Sequence, residues 1–118
     1  MAKKVTILVR SCPYGIATAG EAFRAASGLG GLDHEVSVVF IEDGVFSAIE
    51  GQNPAVIEMQ DVSEAYKSIG EFNAVTYIAE ESLRLRGIAK DRLKFGEVVN
   101  FARIKQLIDS SDSVLSFS

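Results

Sequence analysis

Apolar residues fall into short continuous runs separated by stripes at helical spacing, and this pattern predicts most of the elements. The run Val36 to Ile41, VSVVFI, is short, β-branched and apolar on both faces. A strand in the middle of a parallel sheet reads this way. Lys3 to Arg10, KKVTILVR, predicts a first strand with Val5, Ile7, Leu8 and Val9 at its centre. Thr18 and Glu21 have capping-box spacing, and a helix is expected from about Ala19 to Leu29. Its inner face carries Ala22, Phe23, Ala26 and Leu29, and Gly28, Gly30 and Gly31 are expected to end it.

Val45, Phe46 and Ile49 mark a short amphipathic segment after Gly44, broken by Gly51-Gln52-Asn53-Pro54. Val56, Ile57 and Met59 are apolar with no evident core role, which predicts a contact between subunits. Asp61 to Gly70 has a second capping-type start, followed by Val62, Ala65, Tyr66 and Ile69 at helical spacing. Asn73 to Ile78 predicts a third strand, Glu80 to Arg86 a short helix closed by Gly87, and Arg92 to Phe95 a short fourth strand. Glu80 and Arg84 are placed as an i,i+4 ion pair. Val98, Phe101, Ala102, Ile104 and Ile108 define one face of a last helix, and Ser113 to Phe117 reads as the final strand. Strands alternating with helices imply an α/β domain with a mainly parallel sheet of five strands and helices on both faces.

The length of 118 residues suits one domain, residues 1–118, and 47% apolar composition supplies a core. The apolar stretch behind Lys3-Lys4 spans only Val5 to Val9, too short for a signal sequence, so a cytoplasmic protein is expected. With a net charge of -4 and no basic block, a nucleic-acid surface is not favoured, and no run is long enough to span a membrane. A single cysteine excludes an internal disulfide and Cys-rich zinc sites.

Candidate chemistry gathers after the strands. Cys12 follows the first strand in the loop Ser11-Cys12-Pro13-Tyr14-Gly15, ahead of a helix start that can lower a thiol pKa. The plainer reading is a small residue in a turn. Asp43-Gly44 lies just past the carboxyl end of the second strand, where α/β proteins keep ligand crevices. The Asp43 carboxylate can cap the next helix or orient a ligand. His34 stands alone before a strand, which fits a surface role and no metal site. No glycine-rich phosphate loop or other cofactor fingerprint occurs.

Four stretches carry a resemblance. Ser11-Cys12-Pro13-Tyr14-Gly15 resembles an "APYG" or "APHG" loop after the first strand. Phe40 to Val45, continued to Gly51-Gln52-Asn53-Pro54, resembles a "DGV…GQxP" segment. Ser82-Leu83-Arg84-Leu85-Arg86-Gly87 resembles "SLRxRG", and Ser113 to Phe117 resembles a closing strand. In this order and spacing the chain resembles the DsrE/DsrF family of small sulfur-relay proteins, with its TusB, TusC, TusD and YchN relatives, and within it the TusC or DsrF branch.

The resemblance implies a three-layer α/β/α domain with a five-stranded parallel sheet. It implies assembly with itself or with paralogous subunits as a dimer, trimer or hexamer, and persulfide chemistry in tRNA thiolation or sulfur oxidation. It implies no cofactor. In sulfur-carrying members a cysteine follows the third strand at the start of the next helix. Counted back from Arg86-Gly87, that position falls on Ala79 here, followed by Glu80 and Glu81. The resemblance therefore implies a non-catalytic subunit of a sulfur-relay complex. Two other readings stay open: a sulfurtransferase using Cys12, and a homo-oligomeric small-molecule binding module. Pro13, Tyr14, Gly15, Asp43, Gly44, Gln52, Ala79, Glu80 and Glu81 are the expected binding or interface residues.

Overall fold

Five strands pair side by side, all parallel, in the order β4-β3-β2-β1-β5. The computed structural model describes residues 3–10, 18–49, 69 and 73–117. β1 is Lys4–Val9, β2 Glu35–Phe40, β3 Ala74–Ala79, β4 Glu97–Val99 and β5 Ser113–Phe117. The helices are α1 (Thr18–Gly31), α2 (Glu80–Leu85) and α3 (Phe101–Asp109), with 3-10 turns at Glu42–Ala48 and Lys90–Arg92. No helix among the described residues is long and apolar enough to cross a membrane.

Alternation along each strand builds two cores. Val5, Ile7 and Val9 stand in register with Val36, Val38 and Phe40, and these with Ala74, Thr76 and Ile78. This face packs against Ala22 and Ala26 of α1, Val45 and Ala48 of the 3-10 turn, Ile69, and Leu83 of α2. Phe40 and Phe95 meet edge to face at 5.3 Å between centroids. The opposite face, with Val39, Tyr77, Ala79 and Val99, is covered by Ile104 and Leu107 of α3. Val38 and Val39 are both fully buried, on opposite faces, so the two-sided apolarity of β2 has the expected cause. Each such side chain contributes about 1.5–3 kcal/mol by leaving water.

The structure corrects several boundaries. Gly28 and Gly30 lie inside α1, which continues to Gly31. The terminator is Asp33, at φ 67°. Its N–H reaches the Gly30 carbonyl at 3.0 Å, and the His34 N–H reaches that of Leu29 at 3.2 Å. These are the two bonds of a Schellman cap, with aspartate in the left-handed position usually given to glycine. Gly87, at φ 65°, plays the same part after α2, where Ile88 N–H donates to Leu83 at 3.0 Å. Arg92–Phe95 is not a strand: Arg92 ends a 3-10 turn, and Leu93 makes only an isolated bridge to Ile49. β4 begins later, at Glu97, and takes Val98 out of the last helix. Phe101 and Ala102 are exposed, and Ile104 and Leu107 are the buried positions of α3. The expected interface residues Val56, Ile57 and Met59, and most of the segment Asp61 to Gly70, lie outside the described residues; Ile69 is buried.

A Cβ added at Gly28 meets nothing within 4 Å, whereas one at Gly44 would overlap the Val9 carbonyl. Gly28→Ala is therefore expected to raise stability by about 0.5–1 kcal/mol through helix propensity. Gly44→Ala is expected to lower it by more than about 2 kcal/mol, since backbone and not a side chain must give way. Urea denaturation of both variants against wild type checks the opposite signs.

Candidate functional site at the carboxyl edge

The candidate residues that the structure describes collect at one edge because all five strands point the same way. The ends of β1, β2 and β3 deliver Arg10, Glu42-Asp43-Gly44 and Ala79-Glu80-Glu81 to it. After β2 the chain turns back sharply over β1. Ile41 N–H donates to the Val9 carbonyl at 3.1 Å, and Gly44 N–H to the Ile41 carbonyl at 2.9 Å. Between them Glu42 is held at φ 52°, an uncommon conformation for a side chain of its size. Its N–H donates to the buried Ser82 hydroxyl at 2.9 Å, tying this turn to α2.

Two ion pairs run across the same edge. Arg10 donates to both oxygens of Glu42, at 3.1 and 3.3 Å, joining β1 to the turn. Arg86 donates to Asp43 at 3.0 Å and to the Ser82 carbonyl at 3.3 Å, joining the turn to α2. Of the two roles the sequence leaves open to Asp43, capping the next helix is not the one seen. The turn instead starts at Glu42 with Ile41 as its cap residue and no side-chain capping bond, so Asp43 is left to pair with Arg86.

Ala79 ends β3 fully buried beside Val99, in the core beneath α3, so its methyl group packs and faces no solvent. Glu80 and Glu81 open α2 and then diverge. Glu80 pairs with Arg84 at 2.8 Å as the i,i+4 spacing implies. Glu81 reaches across to α3, where its two carboxylate oxygens accept from the Phe101 N–H at 3.1 and 3.0 Å. Asn100 caps the same helix by accepting from Arg103 N–H at 2.9 Å.

Cys12, Pro13, Tyr14, Gly15 and Gln52 lie outside the described residues. His34 is at the other edge, where its Nδ1 accepts from the Lys3 N–H at 3.1 Å. There it helps line a cavity of about 720 Å³, with Lys4, Ser37, Tyr77, Arg103 and Ser110. Arg103 lies over the Tyr77 ring at 5.9 Å in that cavity. Among the described residues, no group of three or more His, Cys, Asp or Glu side chains could hold a metal ion. Sequence reasoning did not single out Arg10, Glu42, Ser82 or Arg86 as site residues. Ser82 and Arg86 stand in the SLRLRG segment, which was the available signal for them.

Removing the Glu81 carboxylate strips the first turn of α3 of a charged cap. Glu81→Ala is expected to cost about 1 kcal/mol in urea denaturation. The Asp43–Arg86 pair is half exposed, so a double-mutant cycle is expected to give a coupling of only about 0.2–1 kcal/mol, falling as salt is added.

Comparison with known proteins bears on what this edge is for. The model of the DsrE/DsrF-like family matches residues 3–117. The chain is 31% identical to the intracellular sulfur oxidation protein DsrF of Allochromatium vinosum, over 98% of this chain and 96% of that protein. It is 30% identical to a TusC homolog of Pseudomonas aeruginosa, over 98% and 99% of the two chains. The crystal structure of the ychN protein from E. coli superposes with a TM-score of 0.84 at 23% identity, covering 99% of this chain and all of that one. A protein of unknown function from Methanobacterium thermoautotrophicum shares the fold at a TM-score of 0.72 and 17% identity, with 97% and 98% of the chains covered. With a family model spanning nearly the whole chain and full-length relatives at this identity, the protein belongs to the DsrE/DsrF-like family.

Proposed function

We propose that this chain is a non-catalytic subunit of a cytoplasmic sulfur-relay complex, assembled with copies of itself or with paralogous subunits of the same family. The names of its relatives, an intracellular sulfur oxidation protein and a TusC homolog, support a place in sulfur trafficking. The observation that carries the non-catalytic part is Ala79. It occupies the position that the family resemblance gives to the sulfur-carrying cysteine, and it is a methyl group sealed in the core.

Persulfide transfer needs a thiolate to attack the outer sulfur of the donor persulfide, whose inner sulfur leaves as a thiolate. Alanine provides no such nucleophile. The neighbouring Glu80 and Glu81 would also disfavour a thiolate placed beside them, because like charges raise a thiol pKa. What the edge offers instead is a set of internally paired side chains that brace β1, the turn after β2 and α2 against one another. That suits a subunit that shapes a complex.

Cys12 is the residue through which the chain could carry sulfur itself. β1 and β3 flank β2, so their carboxyl ends are about 10 Å apart, two strand spacings. The test is to incubate the purified chain with a cysteine desulfurase and cysteine, and to measure intact mass. No sulfur addition is expected, while a cysteine-bearing paralogue in the same tube is loaded. Stoichiometric addition of one sulfur, abolished by Cys12→Ser, would overturn the reading.

A further inference from the structure

The two faces of the sheet are covered unequally. α1, α2 and the 3-10 turn after β2 pack on one face, while among the described residues α3 is the one helix packed on the other. α3 crosses that face obliquely. Near its start Arg103 stands over Tyr77 of β3, and near its end the Leu107 carbonyl accepts from the Thr6 hydroxyl of β1 at 3.5 Å. The amino halves of β2 and β3 lie beside this crossing, and Val75 there keeps 51% of its surface exposed. The cavity of about 720 Å³ fills the angle between α3 and these strands. Its size is within the range of small-molecule sites.

Three groups lining the cavity have hydrogen-bonding capacity left over. Tyr77 has only 9% of its surface exposed, yet its hydroxyl makes no hydrogen bond among the described residues. A buried tyrosine hydroxyl normally finds a partner. Ser37 lies on the same face, two residues along and one strand across, about 8 Å away at Cα by the strand spacings. Its half-buried hydroxyl is likewise unpartnered among the described residues. Arg103 stands 5.9 Å from the centre of the Tyr77 ring, an interaction that positions the guanidinium without satisfying its N–H groups. Arg10, Arg84 and Arg86 each take a carboxylate, whereas Arg103 pairs with none of the described ones. All three groups can donate.

The rim limits the charge a ligand can bring. Lys4 and Glu35 are register partners on this face, so their charges offset each other. His34 accepts from the Lys3 N–H at Nδ1, which only the neutral ring can do. Asp33 at the same rim opposes a second negative charge. What remains is one uncompensated guanidinium, two hydroxyl donors and apolar contact from Val75 and Leu107. We propose that the cavity binds a small organic carboxylate, with its anionic group among Arg103, Tyr77 and Ser37 and an apolar body against Val75 and Leu107. A guanidinium can donate to both carboxylate oxygens, and the two hydroxyls can donate to the remaining lone pairs. A phosphate dianion would bring a second charge that nothing at this site balances. The site shares no residue with the carboxyl edge, so it stands or falls independently of the sulfur chemistry.

The test titrates benzoate into the full isotope-labelled chain and follows amide chemical shifts. Saturable shifts are expected at Ser37, Val75, Tyr77 and Leu107. Benzyl alcohol, a neutral probe of similar size, is expected to bind at least about tenfold more weakly, since it forgoes the hydrogen bonds to a charged group. Arg103→Gln and Tyr77→Phe are each expected to weaken benzoate about tenfold for the same reason, with circular dichroism unchanged. Tyr77→Phe keeps the ring and removes only the hydroxyl. Arg24→Gln, at an exposed position of α1, makes the same change of net charge and is expected to leave benzoate binding as it was. Absence of saturable shifts at these residues, equal binding of benzyl alcohol, full affinity in both cavity variants, or an equal loss in Arg24→Gln overturns the proposal. Should a cavity variant fail to fold, the comparison of benzoate with benzyl alcohol on the wild type decides. Tighter binding of phenyl phosphate than of benzoate at about pH 8, where the phosphate is a dianion, overturns the assignment of a carboxylate.

Discussion

The carboxyl edge depends on one close approach, that of Gly44 to the carbonyl of Val9. The chain leaving β2 folds back over the end of β1 so tightly that no Cβ fits between them. This contact fixes the direction of the 3-10 turn and forces Glu42 into a left-handed conformation. Such a conformation costs roughly 1–3 kcal/mol and persists only where neighbours hold it. Here they do. Arg10 grips the Glu42 carboxylate and the Ser82 hydroxyl accepts its N–H, while Arg86 holds Asp43 one residue later. A glycine in the second strand's exit loop thus decides how β1, β2 and α2 meet.

A second constraint follows from strand order. β3 and β4 are neighbours, but the connection leaving β3 enters α2 on one face and that leaving β4 enters α3 on the other. In α/β sheets a parting of this kind marks the usual place for a ligand. In this chain Glu81 bridges from α2 to α3 there. Its carboxylate accepts from the first amide of α3, the spot where the helix dipole favours negative charge. The residue two places after Ala79 therefore satisfies the helix from within.

Much of this was legible in the sequence because β-branched runs and glycine punctuation act locally. Val36 to Ile41 declared a central strand through apolarity on both faces, and Gly87 declared the end of α2. Where the sequence pattern misled, tertiary contacts had overridden local signals. Gly28 and Gly30 look like helix stops, yet α1 packs Ala22 and Ala26 on the sheet and runs on to its cap at Asp33. Val98 has the spacing of a helix face but pairs with Ile78 in β4. The ion pair of Asp43 was not legible because its partner, Arg86, is distant in sequence. Capping is a local possibility visible in sequence, whereas an ion pair across 43 positions is visible only once the strands are ordered.

The electrostatics of the edge bear on what it can do. Glu42, Asp43 and Glu80 are each matched by an arginine, Arg10, Arg86 and Arg84, and Glu81 by a helix terminus. Stabilising a thiolate or persulfide needs positive potential that is not already spent. Among the described residues of this edge, Arg10, Arg84, Arg86 and the amino end of α3 are engaged by the chain's own carboxylates. Ala79 itself is an alkyl side chain buried in the core beneath α3. A cysteine placed at position 79 would stand in the core beneath α3, where burial raises a thiol pKa.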